Sequence, residues 1–215
     1  MTRPPAAPTS ADPLSELPLS GAERLRSARA RHPRLGTALV ADARVTAAYR
    51  GERFKFRSKR DAAWQCLRLM VVSDAFLAQA CYRCKARLQS LGVPGLPRLA
   101  HRAAMVLGQV TIGDPVVIAP GLYLLHGQVV IDGFTEIGPG ARIAPFVTIG
   151  LKAGSFDGPR IGANVSIGTG AKVLGAVRVG NGANVGANAV VVSDIPARAT
   201  AVGVPARVHR PSTSG

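Results

Sequence analysis

The sequence predicts a mainly β protein: a left-handed parallel β-helix of six-residue repeats, preceded by a small α-helical N-terminal domain. First, an aliphatic residue recurs every six positions in the C-terminal half. Second, a small or β-branched residue follows four places after most of these aliphatic residues. Third, the apolar residues follow helical spacing only as far as Gly108. The aliphatic positions are Ile112, Ile118, Leu124, Ile131, Ile137, Ile143, Ile149, Ile161, Ile167, Val173, Val179, Val185 and Val191.

These patterns divide the chain into four parts. Residues 1–20 contain five Pro and no apolar run, which is typical of a disordered tail. Residues 21–109 are expected to form the helical domain and residues 110–208 the β-helix. Residues 209–215 are interpreted as a C-terminal tail.

The second half of the helical domain has the clearest amphipathic pattern. We predict one long helix from Asp61 to Leu91, ended by Gly92 and Pro94, and a further helix over about 96–107. The apolar positions of the long helix are Trp64, Leu67, Val71, Phe76, Leu77 and Leu88.

The repeat itself has a simple physical explanation. Three short strands make one triangular coil of about 18 residues, and the aliphatic side chains stack inside the prism on those of the next coil. About five such coils fit this sequence. The period is interrupted by one extra residue between Leu124 and Ile131, where His126 lies, and by a loop over Lys152–Pro159. Because solenoid loops often carry binding functions, we expect the site at these two interruptions.

Composition excludes several classes of function. The chain has 27 Lys and Arg against 12 Asp and Glu, but no nucleic-acid-binding module, so no nucleic-acid partner is expected. The most apolar helical stretch, Cys66–Tyr82, is interrupted by Arg68 and Asp74 and is too short to span a bilayer. There is no apolar run of a secretory signal near the start. We therefore expect a cytoplasmic protein with no membrane partner.

The three cysteines do not form a metal site by spacing. Cys81 and Cys84 form a lone CxxC with no second pair, whereas a structural zinc site usually needs four ligands. Both thiols fall in a helical pattern, so they are interpreted as thiols lining the core, and no metal is expected.

The repeat region also resembles a known family. The run SIGTGAKVLGAVRVGNGANVGANAVVVSDIPARATAVGVPARV is similar to the C-terminal half of bacterial serine O-acetyltransferases and their hexapeptide-repeat relatives. The order of a helical segment, TIGDPVVIAPGLYLLHG, a loop and GVPAR is the same, over about residues 61–208. The resemblance implies an acetyl-CoA-dependent O-acetyltransferase of cysteine biosynthesis. It also implies a homotrimer with sites between subunits, with dimers of trimers as a further possibility.

The resemblance assigns roles to six residues. It places the catalytic base, which takes the proton of the acceptor hydroxyl, at His126. Asp61 resembles a family Asp of the helical domain, although a helix-start role near the dipole is equally consistent with its position. For acetyl-CoA, the family positions match Gly150, Thr169 and Ala187, and Arg207 could meet a CoA phosphate.

Three departures from the family pattern bear on the acceptor. The second family His matches Gly158, and two family Asp positions match Leu125 and Thr111. Serine is therefore one acceptor among others. An O-acetyltransferase acting on a sugar or secondary-metabolite hydroxyl is a first alternative, and a non-catalytic trimeric scaffold is a second. A γ-class carbonic anhydrase would need three His for zinc, and the repeat domain has His126 alone.

Overall fold

The computed structural model describes residues 20–153 and 155–209, and it begins with five helices. Most of the two predicted tails, residues 1–20 and 209–215, lies outside the described residues. The helices are α1 (Gly21–Ala30), α2 (Leu35–Tyr49), α3 (Lys59–Val72), α4 (Asp74–Ser90) and α5 (Leu96–Gly108).

The prediction of one long helix from Asp61 is wrong, because the chain breaks at Ser73. This residue is extended, with φ −146° and ψ 106°, and it ends α3 and begins α4. Its hydroxyl accepts a hydrogen bond from the backbone N–H of Phe76 at 3.3 Å. Serine competes with the helix by bonding nearby backbone groups in this way, and Asp74 in the first turn of α4 is favoured by the helix dipole.

The buried face of α3 also differs from the prediction. Trp64, Leu67 and Val71 are 61%, 52% and 78% exposed, although their helical spacing was recognised correctly. The helix buries Ala62, Cys66 and Leu69 instead. The apolar pattern alone does not say which of two faces α2 and α4 will cover.

In the described residues, fifteen short strands follow the helices and form three sheets, in which all strands but the last pair in parallel. Sheet 1 contains β1 (Val110–Ile112), β4 (Val129–Ile131), β7 (Thr148–Gly150), β10 (Lys172–Leu174) and β13 (Val190–Val191). Sheet 2 contains β2 (Val117–Ile118), β5 (Glu136–Ile137), β8 (Arg160–Ile161) and β11 (Arg178–Val179). Sheet 3 contains β3 (Tyr123–Leu124), β6 (Arg142–Ile143), β9 (Ser166–Ile167), β12 (Asn184–Val185), β14 (Thr200–Val202) and β15 (Arg207–His209), of which only β15 is antiparallel.

The predicted solenoid of about five coils is confirmed. Each aliphatic position of the repeat is at most 4% exposed, and these side chains form one continuous core. The register shows the coil length directly, since Val173 pairs with Val191, 18 positions later. Ile149 pairs with Val173, 24 positions later, because the loop over 152–159 lengthens this coil.

Helix α4 closes the open end of the solenoid with polar side chains. Tyr82 donates to the carbonyl of Val116 at 2.9 Å, and Arg83 donates to the carbonyl of Ala119 at 2.8 Å. The carboxylate of Asp42 on α2 accepts from Arg83 and from the backbone of the first coil, at Gly121. End coils lack a neighbour for their backbone groups, so these bonds supply the missing partners and bind the helices to the solenoid.

The cysteines lie in the helical domain as interpreted. Cys66 is buried, while Cys81 and Cys84 are half-buried on α4, and burial raises the pKa of all three thiols. In the described ranges, no group of three or more His, Cys, Asp or Glu is arranged to hold a metal ion. Within the same ranges, no helix is long and apolar enough to cross a membrane.

Candidate functional site

One corner of the solenoid carries most of the residues that the resemblance selects. Between sheet 3 and sheet 1, His126 lies in the first coil, Thr169 in the third and Ala187 in the fourth. Arg207 pairs with Val202, where β14 reaches the same corner in the fifth coil. Strands of successive coils lie about 4.8 Å apart, so His126 and Ala187 are separated by about 14 Å along this corner. We call this line of residues the site edge.

The backbone of the site edge is packed too closely for side chains at its glycines. The N–H of Asn188 donates to the carbonyl of Thr169 at 2.8 Å, which holds two successive coils in contact. A Cβ atom added to Gly168 would lie 2.7 Å from the backbone nitrogen of Ala187. Because Thr169 and Ala187 are exposed, the backbone here is accessible to an extended ligand.

The imidazole of His126 is exposed and accessible. In the described part of the chain, it makes no side-chain hydrogen bond. The extra residue in this coil has a structural cause, since the chain passes over the end of α5. A Cβ atom at Gly127 would lie 2.2 Å from the carbonyl oxygen of Gly108, and Gln128 has a positive φ of 62°. The interruption therefore turns His126 outward at the start of the site edge.

A groove beside His126 runs along the outer face of sheet 3. Its cavity has a volume of about 430 Å³ and includes Leu125, the neighbour of His126, together with Gly168 and Gly186. At the same end, the rings of Tyr49 and Tyr123 stack with centroids 4.4 Å apart. We call this cavity the sheet-3 groove. Its aromatic end includes Leu125, the chain neighbour of His126, and its other end follows Gly168 and Gly186 of later coils.

Arg142 completes the aromatic end, and sequence reasoning missed all three of these residues. The guanidinium of Arg142 donates to the hydroxyl of Tyr49 at 2.8 Å, and both line the sheet-3 groove. Tyr123 was detectable as a bulky residue just before an aliphatic repeat position. Tyr49 ends a helix 74 positions earlier and meets Tyr123 only through the tertiary fold.

Among the described residues, the contacts that place Asp61 and Gly150 do not include His126. The carboxylate of Asp61 accepts from both terminal nitrogens of Arg53, at 2.7 and 2.8 Å, and from the N–H of Arg57. Hydrogen bonds from Arg53 hold the pKa of Asp61 well below its usual range. These contacts form a charged cap at the start of α3. Gly150 ends β7 and pairs with Leu174 at the opposite end of sheet 1 from the site edge.

The position of the second family His is closed by packing. Gly158 is buried, and a Cβ atom there would lie 2.2 Å from Oγ1 of Thr135 and 2.9 Å from its backbone nitrogen. The neighbouring Asp157 forms an ion pair with Arg24 of α1. The second and third coils therefore leave no space for an imidazole at position 158.

Comparison with known proteins identifies the family. The family model for "Bacterial transferase hexapeptide (six repeats)" matches residues 158–193. A soybean serine acetyltransferase apoenzyme is 33% identical, with 85% of this chain and 72% of that chain covered and a TM-score of 0.66. The chain belongs to the hexapeptide transferases that include the serine acetyltransferases.

Two other structures of these hexapeptide transferases are similar over the same extent. A serine acetyltransferase in complex with CoA is 27% identical, covering 87% of this chain and 74% of that chain, with a TM-score of 0.67. The Vibrio cholerae serine acetyltransferase is 28% identical, covering 89% and 72%, with a TM-score of 0.68. A search of curated proteins found no match.

Proposed function

We propose that this hexapeptide transferase is an acetyl-CoA-dependent O-acetyltransferase in which His126 is the general base. The observation that carries the proposal is the order of residues along the site edge. His126 lies at one end, and Thr169, Ala187 and Arg207 follow at successive coils. A serine acetyltransferase with this fold binds CoA.

The site edge has the chemistry that an extended acyl-CoA arm requires. Exposed backbone at Thr169 and Ala187 can exchange hydrogen bonds with the amides of the pantetheine arm. The guanidinium of Arg207 can bind a CoA phosphate through two parallel N–H bonds. We further propose a homotrimer, in which the neighbouring subunit supplies Gly150, because Gly150 is remote from the site edge of its own chain.

The proposed reaction is a direct transfer. Neutral His126 accepts the proton of the acceptor hydroxyl while the hydroxyl oxygen attacks the thioester carbonyl carbon. The C–S bond then breaks, and the CoA thiolate takes the proton from the imidazolium. Imidazole can both accept and donate a proton near neutral pH, as the two steps require. A single base is compatible with catalysis because positioning of the two substrates supplies much of the rate.

Serine is the first acceptor to test, since the similar structures are serine acetyltransferases. The second candidate is a sugar or secondary-metabolite hydroxyl, and the sheet-3 groove favours it. Leu125 stands beside His126 where the family has Asp, and it lines the groove with Tyr49 and Tyr123. Among the described residues, this end offers an acceptor apolar and aromatic side chains with the guanidinium of Arg142, and no carboxylate for an ammonium group.

The test measures release of free thiol from acetyl-CoA with serine, homoserine and a panel of sugars. We expect His126→Ala to lower kcat by about 10²–10⁴-fold, the usual contribution of a general base. Binding of CoA, measured as a thermal shift, should be unchanged in this variant. His101→Ala, in the helical domain, is the matched control and should keep full activity.

Two outcomes would contradict the proposal in different ways. Full activity of His126→Ala would remove His126 as the base while leaving acyl transfer in place. Absence of both turnover and a CoA-induced thermal shift in the wild type would instead support the non-catalytic scaffold. Turnover with sugars but not with serine would assign the groove to the second candidate acceptor.

A further inference from the structure

A second cleft lies on the side of the solenoid opposite the site edge. The site edge is the corner between sheets 3 and 1, so the outer face of sheet 2 is the opposite side of the triangular coil. Two adjoining cavities of about 550 and 500 Å³ lie on this face. Both include Arg31, Glu136, Arg160 and Arg178, and α1 contributes Arg24. We call the combined cavity the arginine cleft.

Two of these arginines are neighbours in exact strand register. Arg160 on β8 pairs with Arg178 on β11, so their side chains leave the same face of adjacent strands. The two strands are about 4.8 Å apart. Like charges opposite each other in a sheet destabilise it, and so this pair has an unfavourable energy unless an anion lies between the guanidinium groups.

The charges within the arginine cleft are not balanced by the protein. Arg24 pairs with Asp157, and Arg31 pairs with Glu136 at 2.6 Å. Among the described residues, no carboxylate oxygen lies within 4.0 Å of the guanidinium nitrogens of Arg160 or Arg178.

Two described acids flank this pair. Glu136 on β5 is the register partner of Arg160 on its other side, and its carboxylate pairs with Arg31. The carboxylate of Asp194 accepts from the backbone N–H of Arg178 at 2.8 Å, so it orders the strand and leaves the side chain unpaired. Four arginines face two paired acids in the cleft, which leaves two uncompensated positive charges side by side.

The other end of the cleft is apolar. Pro33, Val117, Ala119 and Pro120 line the first cavity beyond the arginines. A ligand that fills the whole cleft would therefore combine a doubly charged oxyanion with a small apolar body. Among common groups, a phosphate monoester carries about two negative charges near pH 7 and matches paired guanidinium groups.

We propose that the arginine cleft binds a small organic phosphate monoester. Its phosphate lies between Arg160 and Arg178, and its apolar body contacts Pro33 and Val117. The inference does not depend on the proposed acyl transfer, because none of these residues belongs to the site edge. Within one chain, the organic phosphate is recognised on the face opposite the site edge.

The experiment uses the full chain and phenyl phosphate as the probe, measured by calorimetry. We expect the double variant Arg160→Gln/Arg178→Gln to weaken binding by at least about tenfold, since each lost charge-assisted contact is worth that much or more. The control Arg60→Gln/Arg87→Gln removes the same charge from exposed positions of α3 and α4 and should bind as the wild type does. Without ligand, the double variant should unfold at the same or a higher temperature.

Each alternative result overturns part or all of this inference. No binding by the wild type, or equal loss of binding in both double variants, would reject the cleft as a specific site. Inorganic phosphate binding as tightly as phenyl phosphate would reject the contact with the apolar end. Parallel loss of CoA binding in Arg160→Gln/Arg178→Gln would show that the arginines serve the CoA of a neighbouring subunit instead.

Discussion

Substitution of Gly158 by Ala tests why this protein lacks a second histidine. The added Cβ atom would lie 2.2 Å from Oγ1, 2.9 Å from N and 3.1 Å from Cα of Thr135. Real Cβ atoms essentially never come within 3.0 Å of such atoms, and two of these contacts involve backbone. The third coil must therefore move away from the second, against the ladder of hydrogen bonds that joins them.

The expected cost follows from overpacking of a well-packed interior. Forcing extra atoms into such a site costs about 1–3 kcal/mol. For a protein of this size, each kcal/mol lowers Tm by about 2–4 °C, so the expected decrease is about 2–12 °C. The larger side chain of Gly158→His should be at least as destabilising and should not increase acetyl transfer.

The assay is urea unfolding, with thermal unfolding as a second measurement. A lower midpoint with an unchanged m-value would show lost stability of the same folded state. Gly150→Ala is the matched control within the solenoid, because its Cβ atom would meet nothing closer than the carbonyl oxygen of Asp132 at 3.7 Å. This control should change the free energy of unfolding by no more than about 0.5 kcal/mol.

A double variant separates the side-chain contact from the backbone contacts. Thr135→Ala removes the 2.2 Å contact but leaves those at 2.9 and 3.1 Å, so Gly158→Ala should be partly rescued in this background. The reasoning is refuted if Gly158→Ala is as stable as the wild type. It is refuted equally if Gly158→His folds normally and gains activity.

Three other predictions concern the helical domain and the core. Arg83→Met leaves the carboxylate of Asp42 buried without its guanidinium partner. The free energy of unfolding, measured by urea denaturation, should therefore fall by about 3–5 kcal/mol. The decrease should be smaller in the double variant Arg83→Met/Asp42→Asn, which has no buried unpaired charge. Burial, with the charges of Arg83 and Lys85, lowers the pKa of His32 to about 4. In the unfolded chain His32 becomes protonated below about pH 6.5, whereas in the folded protein it stays neutral down to about pH 4. The unfolded state therefore binds more protons in this range, and the free energy of unfolding should fall as the pH is lowered from about 6.5 to about 4. The loss should be about 1 kcal/mol at pH 5 after allowance for partial exposure, and His32→Leu should flatten that part of the pH profile. Ile149→Ala, in the centre of the prism, should lower the free energy of unfolding by about 2–5 kcal/mol.

The solenoid could be predicted from the sequence because each coil repeats one local environment. The side chain of Ile149 meets Ile131 and Val173 on the coils below and above, and the other aliphatic positions of the inner coils have equivalent neighbours. The period of six therefore predicts both where the strands lie and which side chains point into the prism. The interruption at His126 was visible in the same way, as a departure from that period.

The helical domain could be predicted only in part. Helical spacing indicated where α3 and α4 lie. It did not show the break between them, because the apolar period continues across Ser73, whose hydroxyl caps the start of α4. The choice between Leu69 and Leu67 as the buried residue of α3 depends on where α2 and α4 pack. No residue within α3 carries that information.

The sequence by itself determined the repeat and the number of coils, because these depend on contacts at a nearly constant separation along the chain. The family resemblance selected His126, Thr169 and Ala187, and the structure places them at one corner. The tertiary structure decided the rest. It stacked Tyr49 on Tyr123, excluded any side chain at Gly158 and paired Arg160 with Arg178 beneath α1. The first two of these contacts join segments whose separation no period fixes. The third follows the 18-residue period, but α1 forms one wall of the cleft around these arginines. The groove and the arginine cleft were therefore found only in three dimensions.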